Sequence, residues 1–211
     1  MDIKQKNIME EADTGQRYEV LQELGDCYNS VGDYSQAQKC YEKAALLGPD
    51  EAGPYVGMGV VALQKDQVDD AEIAFRVARR LDVDCARAYC GLGLVAQQKG
   101  DYKRSFEMYL KGLELDTDNL AALLGLFQVS CKMGSFEKVI YYLEVYLQIH
   151  PGDVSVMFSL AALHMKDGRF EQSGEILRDI LALQPGNEDA SGLLEEVEHN
   201  LAQKKQTGTQ V

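Results

Sequence analysis

The chain has 211 residues, 45% hydrophobic and 26% charged, a balance that excludes disorder over the whole length. Its 34 acidic and 21 basic side chains leave a formal charge of −13, a field that repels phosphate backbones and anionic lipid, so nucleic acid is not expected as a partner. No stretch approaches the ~20 apolar residues that cross a bilayer, and the opening MDIKQKNIMEEAD has no apolar signal core, which predicts a soluble cytoplasmic chain without direct membrane insertion.

In chain order, residues 1–17 come first, with only Ile3, Ile8 and Met9 as apolar material, enough for a short helix or a disordered lead-in. From Tyr18 a period of 34 takes over. Pro151 and Pro185 lie 34 apart, and Pro49 lies three periods before Pro151. Gly25, Gly59 and Gly93 form a second ladder, and Gly100, Gly134 and Gly168 a third, which Gly32 joins past a skipped rung at Asp66. Five blocks follow without insertion: 18–51, 52–85, 86–119, 120–153 and 154–187.

Within a block the apolar positions fall at helical spacings. Leu21, Leu24 and Tyr28 stand at i, i+3 and i+7, and Ala37, Tyr41, Ala44 and Leu47 at i, i+4, i+7 and i+10, which predicts two amphipathic helices per block. Gly32 closes the first in a left-handed conformation, and Asp33 offers an N-cap to the second, with Gln36 completing a capping box. Gly100 with Asp101, and Gly134 with Ser135, repeat the device. After the last block, residues 188–204 place Leu193, Leu194, Val197 and Leu201 on one face and Glu195, Glu196, Glu198 and Lys204 elsewhere, the pattern of a helix that caps a stack with a polar outer side. Residues 205–211 read as a flexible tail. The total is eleven helices, two per block and one cap, with no strand.

Lined up, Leu21, Leu24, Gly25, Tyr28, Ala37, Tyr41, Ala44 and Pro49 resemble the tetratricopeptide repeat, departing only in Leu for the first Trp. The resemblance covers 18–187. It implies an all-α fold, a right-handed α-solenoid of five helix-turn-helix repeats plus a C-terminal capping helix. The fourth repeat departs most, with Phe127 for the small Gly, Val139 for Ala and Tyr146 for the small residue of the second helix, so looser or shifted packing is expected there.

Material for catalysis is sparse. Cys27, Cys40, Cys85, Cys90 and Cys131 are odd in number and never form a Cys-x-x-Cys pair, which argues against a disulfide framework or a metal site. His150 precedes Pro151 in a loop, His199 lies in the cap helix, and His164 occupies the core site that Tyr28 holds in the first repeat. The Gly-x-Gly fragments at Gly57/Gly59 and Gly91/Gly93 lie inside helices, and no P-loop or Gly-x-Ser-x-Gly elbow is present. No catalytic residue, metal or cofactor is expected, and an enzyme is not the reading.

The resemblance implies that first helices line a concave groove through fixed positions of each repeat. Carried onto this chain, the floor runs through Val56, Val60 and Leu63, then Arg87, Cys90, Leu94 and Gln97, then Leu124, Gln128 and Cys131, and ends at Phe158, Ala162 and Met165. Most of these are apolar. Gly57, Gly91 and Gly125 recur at the sixth position, where a missing side chain would let a bound segment approach the helix backbone. Acidic Glu19, Glu23 and Asp26 at one end, and Lys132 and Lys166 toward the other, would give the groove a direction. The family's two-carboxylate clamp would fall on Gln22, Asp26, Gly57, Arg87 and Gly91. Only Arg87 matches it, so that mode is not expected. The reading is a scaffold or adaptor that holds an apolar or amphipathic segment of a partner protein. The alternative is a homo-oligomer in which one subunit's terminal segment fills the next subunit's groove.

Overall fold

The computed structural model describes residues 3–207, with side chains described for residues 17–204. Among these residues the regular structure is eleven helices and no strand. They are α1 (Ile3–Ser30), α2 (Tyr34–Leu47), α3 (Ala52–Gln64), α4 (Val68–Leu81), α5 (Ala86–Gln98), α6 (Tyr102–Leu115), α7 (Leu120–Met133), α8 (Glu137–Ile149), α9 (Val154–Lys166), α10 (Phe170–Leu183) and α11 (Glu188–Thr207). Contacts divide the chain into two compact units, Met1–Asp116 and Thr117–Val211.

The lead-in differs from expectation. Backbone continues helical from Ile3 into the first repeat, so α1 is one helix of 28 residues and not a separate short element. Residues 1, 2 and 208–211, including most of the expected tail, lie outside the described residues, as do the side chains of Ile3, Ile8 and Met9.

The third glycine ladder is the set of turns between paired helices. Gly32, Gly100, Gly134 and Gly168 hold φ of 80°, 77°, 68° and 75°, and Asp66, on the skipped rung, adopts φ of 58° as well. An aspartate tolerates the left-handed region better than most side chains, which is why the turn survives the exchange.

In the first unit each second helix drives an aromatic ring against its own first helix. Tyr41, Phe75 and Tyr109 are fully buried. A Cβ at Gly25 would stand 2.6 Å from the Tyr41 ring, one at Gly59 2.7 Å from Phe75, and one at Gly93 2.8 Å from Tyr109. Around Phe75, the residues Val56, Ala71, Ala88, Leu92 and Val95 join α3, α4 and α5 in one cluster. An ion network ties the second repeat to the third. The nearly buried Glu72 accepts from Lys99 Nζ at 2.6 Å and Arg104 Nη2 at 2.9 Å, and pairs with Arg76 at 2.7 Å. Lys99 also reaches Asp69 at 2.6 Å. The cations around Glu72, Lys99 first, hold its carboxyl below the usual range against the opposing effect of burial.

In the second unit the ring positions are taken by Leu143 and Leu177, both fully buried. The backbones of α7 and α8 approach far less than those of α9 and α10. Phe127, Val139 and Tyr146, all bulkier than the signature residues they replace, account for the wider spacing. The last hairpin buries its outer side against α11, where Ala190 and Val197 are fully covered and Leu193, Leu194 and Leu201 pack beside them on α9 and α10 residues.

Helix starts match expectation in part. Asp33 accepts from the Gln36 amide and Asp101 from the Arg104 amide, each at 3.1 Å. Ser135 caps nothing: α8 begins after Phe136 with no side-chain cap. Asn119, Asp153 and Asn187 instead cap α7, α9 and α11 through the amides of Ala122, Val156 and Ala190.

Candidate functional site

The candidate surface is the exposed face of the first helices. In the first unit Leu94 on α5 is 42% exposed, and Val60 and Leu63 on α3 are half-buried, resting on the Phe75 cluster. Arg87 is exposed at the start of α5. Gln97 is half-buried, its Oε1 accepting from Tyr109 Oη at 3.0 Å.

Two expected floor residues belong to the core. Val56 is 2% exposed and Cys90 7%. In the second and third repeats the fifth position turns toward the neighbouring helices, and Val56 packs with Phe75 and Leu92. Burial pushes the Cys90 thiol up to about 12, which leaves it protonated and unreactive at neutral pH.

The sixth-position glycines also serve the core, not a ligand. A Cβ at Gly57 would collide with the Tyr41 ring, and one at Gly91 with Phe75. Each ring is thus clasped between the glycine sixteen residues before it and the glycine sixteen residues after it. The space beside these backbones is already filled. Two clamp positions are occupied structurally as well: Asp26 accepts from Tyr41 Oη at 2.6 Å, and Gln22 from Tyr18 Oη at 2.7 Å.

In the second unit Leu124 on α7 is 37% exposed, Gln128 is exposed and Cys131 half-buried. On α9, Ala162 is half-buried, and Phe158 and Met165 are partly covered by the cluster that holds α11. Among the expected floor residues the most open apolar side chains are therefore Leu94 and Leu124, one in each unit.

His164 is buried, and desolvation, aided by Arg169, pulls its pKa below the ordinary value, so it is neutral near pH 7. His150 Nε2 pairs with Asp118 on the surface. Among the described residues there is no cluster of three metal-ligating side chains, and no helix is long and apolar enough to cross a membrane.

One surface escaped the sequence reading. Ile73 and Val83 are 62% and 65% exposed beside Arg76, Arg79 and Arg80. The run RVARR at 76–80, in a chain this acidic, is the signal that could have found it.

Two family profiles, both described as tetratricopeptide repeat, match the chain: one over residues 132–197, the other over 18–51 and 86–119, together more than half its length. The chain belongs to the tetratricopeptide repeat family. No curated protein sequence matches it. Among solved structures, PilF of Pseudomonas aeruginosa superposes with a TM-score of 0.73 at 20% identity, over 94% of this chain and 91% of that one. MamA gives 0.62 at 21% identity, over 80% and 92% of the two chains. YrrB, described as a TPR protein with an unusual peptide-binding site, gives 0.62 at 19% identity, over 82% and 89%. These likenesses establish a common fold.

Proposed function

We propose that the chain is a non-catalytic scaffold that holds an apolar or amphipathic segment of a partner protein on its first-helix faces. The observation that carries this reading is the exposure of an expected floor leucine on a first helix of each unit: Leu94, the ninth residue of its repeat, in the first, and Leu124, the fifth of its own, in the second. Each sits where the packing leaves it uncovered, although the signature positions already supply the core. An open leucine on α5, which also carries half-buried Gln97 and follows the half-buried Val60 and Leu63 of α3, offers the kind of centre on which interface energy concentrates. The peptide-binding site described for YrrB is consistent with such a role for the fold.

Co-precipitation from the native cell extract tests the reading. A partner held by the wild-type chain and by Lys103→Glu, but lost with folded Leu94→Glu, supports it. A partner held equally by all three places the binding elsewhere. Sedimentation at two concentrations addresses the self-assembly alternative, since only a homo-oligomer gains mass as concentration rises.

A further inference from the structure

Two grooves flank one ridge of α4. The first, about 510 Å³, lies among α2, α3 and α4, with Tyr55, Met58 and Ala74 on its walls. The second, about 560 Å³, runs along α4 to α5 and is lined by Val83, Tyr89 and the three arginines 76, 79 and 80. Ile73 and Val77 line both, so the two grooves adjoin. One is chiefly apolar, and its neighbour combines apolar walls with concentrated positive charge.

The three arginines differ in how far they are already engaged. Arg76 is committed to Glu72 at 2.7 Å. Arg79 lies over the Tyr89 ring, its guanidinium carbon 5.9 Å from the centroid, a cation–π contact that leaves its N–H donors without a hydrogen-bond or ion-pair partner among the described residues. Arg80 is exposed and has no partner among the described residues. In a chain of net charge −13, two arginines with donors to spare beside an exposed Ile73 and Val83 form a local reversal of sign. A planar guanidinium pairs with a carboxylate through two parallel hydrogen bonds, and does so best where an apolar wall excludes water.

We propose that this double groove docks an acidic amphipathic segment of a partner protein, its apolar side chain entering beside Tyr55 and Met58 and its carboxylates meeting Arg79 and Arg80. The surface is separate from the Leu94 face and does not depend on it. Charge complementarity selects the occupant: the overall negative field opposes nucleic acid, while a short acidic segment needs only the local cations.

Panning a displayed library of random twelve-residue peptides against the full chain, with Arg79→Glu/Arg80→Glu as counter-selection, tests the proposal. Enriched peptides should set an apolar residue beside two or more carboxylates. Synthesised and labelled, they should bind Arg80→Glu about tenfold more weakly than wild type and Leu94→Glu unchanged. Arg80→Glu serves as the primary variant because its side chain is exposed and unpaired, so the fold does not rest on it. Failure to enrich peptides that distinguish the arginine variants overturns the proposal, as does enrichment of neutral or basic ones. A labelled single-stranded oligonucleotide bound with the same dependence on Arg80 would also overturn it. Peptides that lose affinity with Leu94→Glu but not with Arg80→Glu belong to the first-helix face and count against the double groove.

Discussion

The two units build the same hairpin with different parts. In Met1–Asp116 an aromatic ring from each second helix fills a notch left by glycine, and Tyr41 and Phe75 each touch a second glycine on the following repeat. In Thr117–Val211, Leu143 and Leu177 occupy the ring positions, while Phe127 and Ala161 stand where Gly59 and Gly93 stand in the first unit. Hydrogen bonding divides along similar lines. The second helices α2 and α6 are side-chain capped in the first unit, the first helices α7 and α9 in the second. One contact is common to both: Ser105 Oγ donates to the Gly93 carbonyl and Ser173 Oγ to the Ala161 carbonyl, each at 2.8 Å. The repeat signature therefore prescribes a helix spacing and leaves open how the space between the helices is filled.

Paired deletions should expose that difference most strongly. Phe75→Ala removes a ring held on both sides and is expected to cost ~3–5 kcal/mol, whereas Leu143→Ala, between the more widely spaced α7 and α8, should fall near ~2 kcal/mol because the site can collapse. Urea titrations of both variants measure this, and a Leu143→Ala cost equal to or above that of Phe75→Ala would break the comparison.

Overpacking comes next. Gly59→Leu places a side chain against Phe75 and should destabilise by ~1–3 kcal/mol, while Ala161→Val in the second unit, facing the more adaptable Leu177, should cost less. Equal thermal midpoints for wild type and Gly59→Leu would show that the glycine notch carries no packing constraint.

Acid should separate the units by their buried titratable groups. His164, faced by Arg169, Glu144 and Asp167, is held neutral by burial, its folded pKa depressed below the ordinary imidazole value of 6.5. Its contribution is complete above pH 6.5 and is lost as the pH falls below it, because the unfolded chain takes up the proton first. The Glu72 carboxyl pKa is also depressed, so the support of its ion network persists down to the ordinary glutamate value of 4.5 and is lost only below it. The second unit should thus weaken in mild acid and the first only at lower pH. Hydrogen exchange resolved along the chain checks the order, and His164→Phe should remove the upper step. An upper step that survives this change would remove His164 from the account.

The smallest effect is expected from the missing cap. Ser135→Ala should change stability little, because α8 starts without its side chain, whereas Asn119→Ala or Asp153→Ala should cost ~1 kcal/mol. Thermal melts of the three variants decide this.

The sequence exposed most of the architecture because turns and helix faces are local. A left-handed turn every 34 residues leaves a glycine at each rung but one, and even Asp66 keeps the conformation. The site was less legible, because a position in a period does not say which neighbouring side chain reaches it. Gly57 and Gly91 look like openings for a ligand until the rings of Tyr41 and Phe75, sixteen residues earlier, are seen to fill them. Val56 and Cys90 share an offset with the more open Leu124, yet close packing with the neighbouring repeats buries both. The α4 double groove had no family position to mark it and is carried by tertiary proximity: Tyr89 of α5 reaches the arginine run on one side of α4, and Tyr55 of α3 lies beside Ile73 on the other.

The direct test of the proposed first-helix interface is a titration of the co-precipitated partner into wild type, Leu94→Glu and Lys103→Glu, with a melting curve for each. Loss of a central apolar contact costs ~2 kcal/mol, about thirtyfold in affinity, and the buried glutamate should add to that, leaving binding essentially absent in Leu94→Glu and unchanged in Lys103→Glu. All three chains should melt alike, since Leu94 is 42% exposed. A Leu94→Glu chain that unfolds would return this leucine to the core, and one that folds and binds normally would contradict the first-helix face as the binding surface.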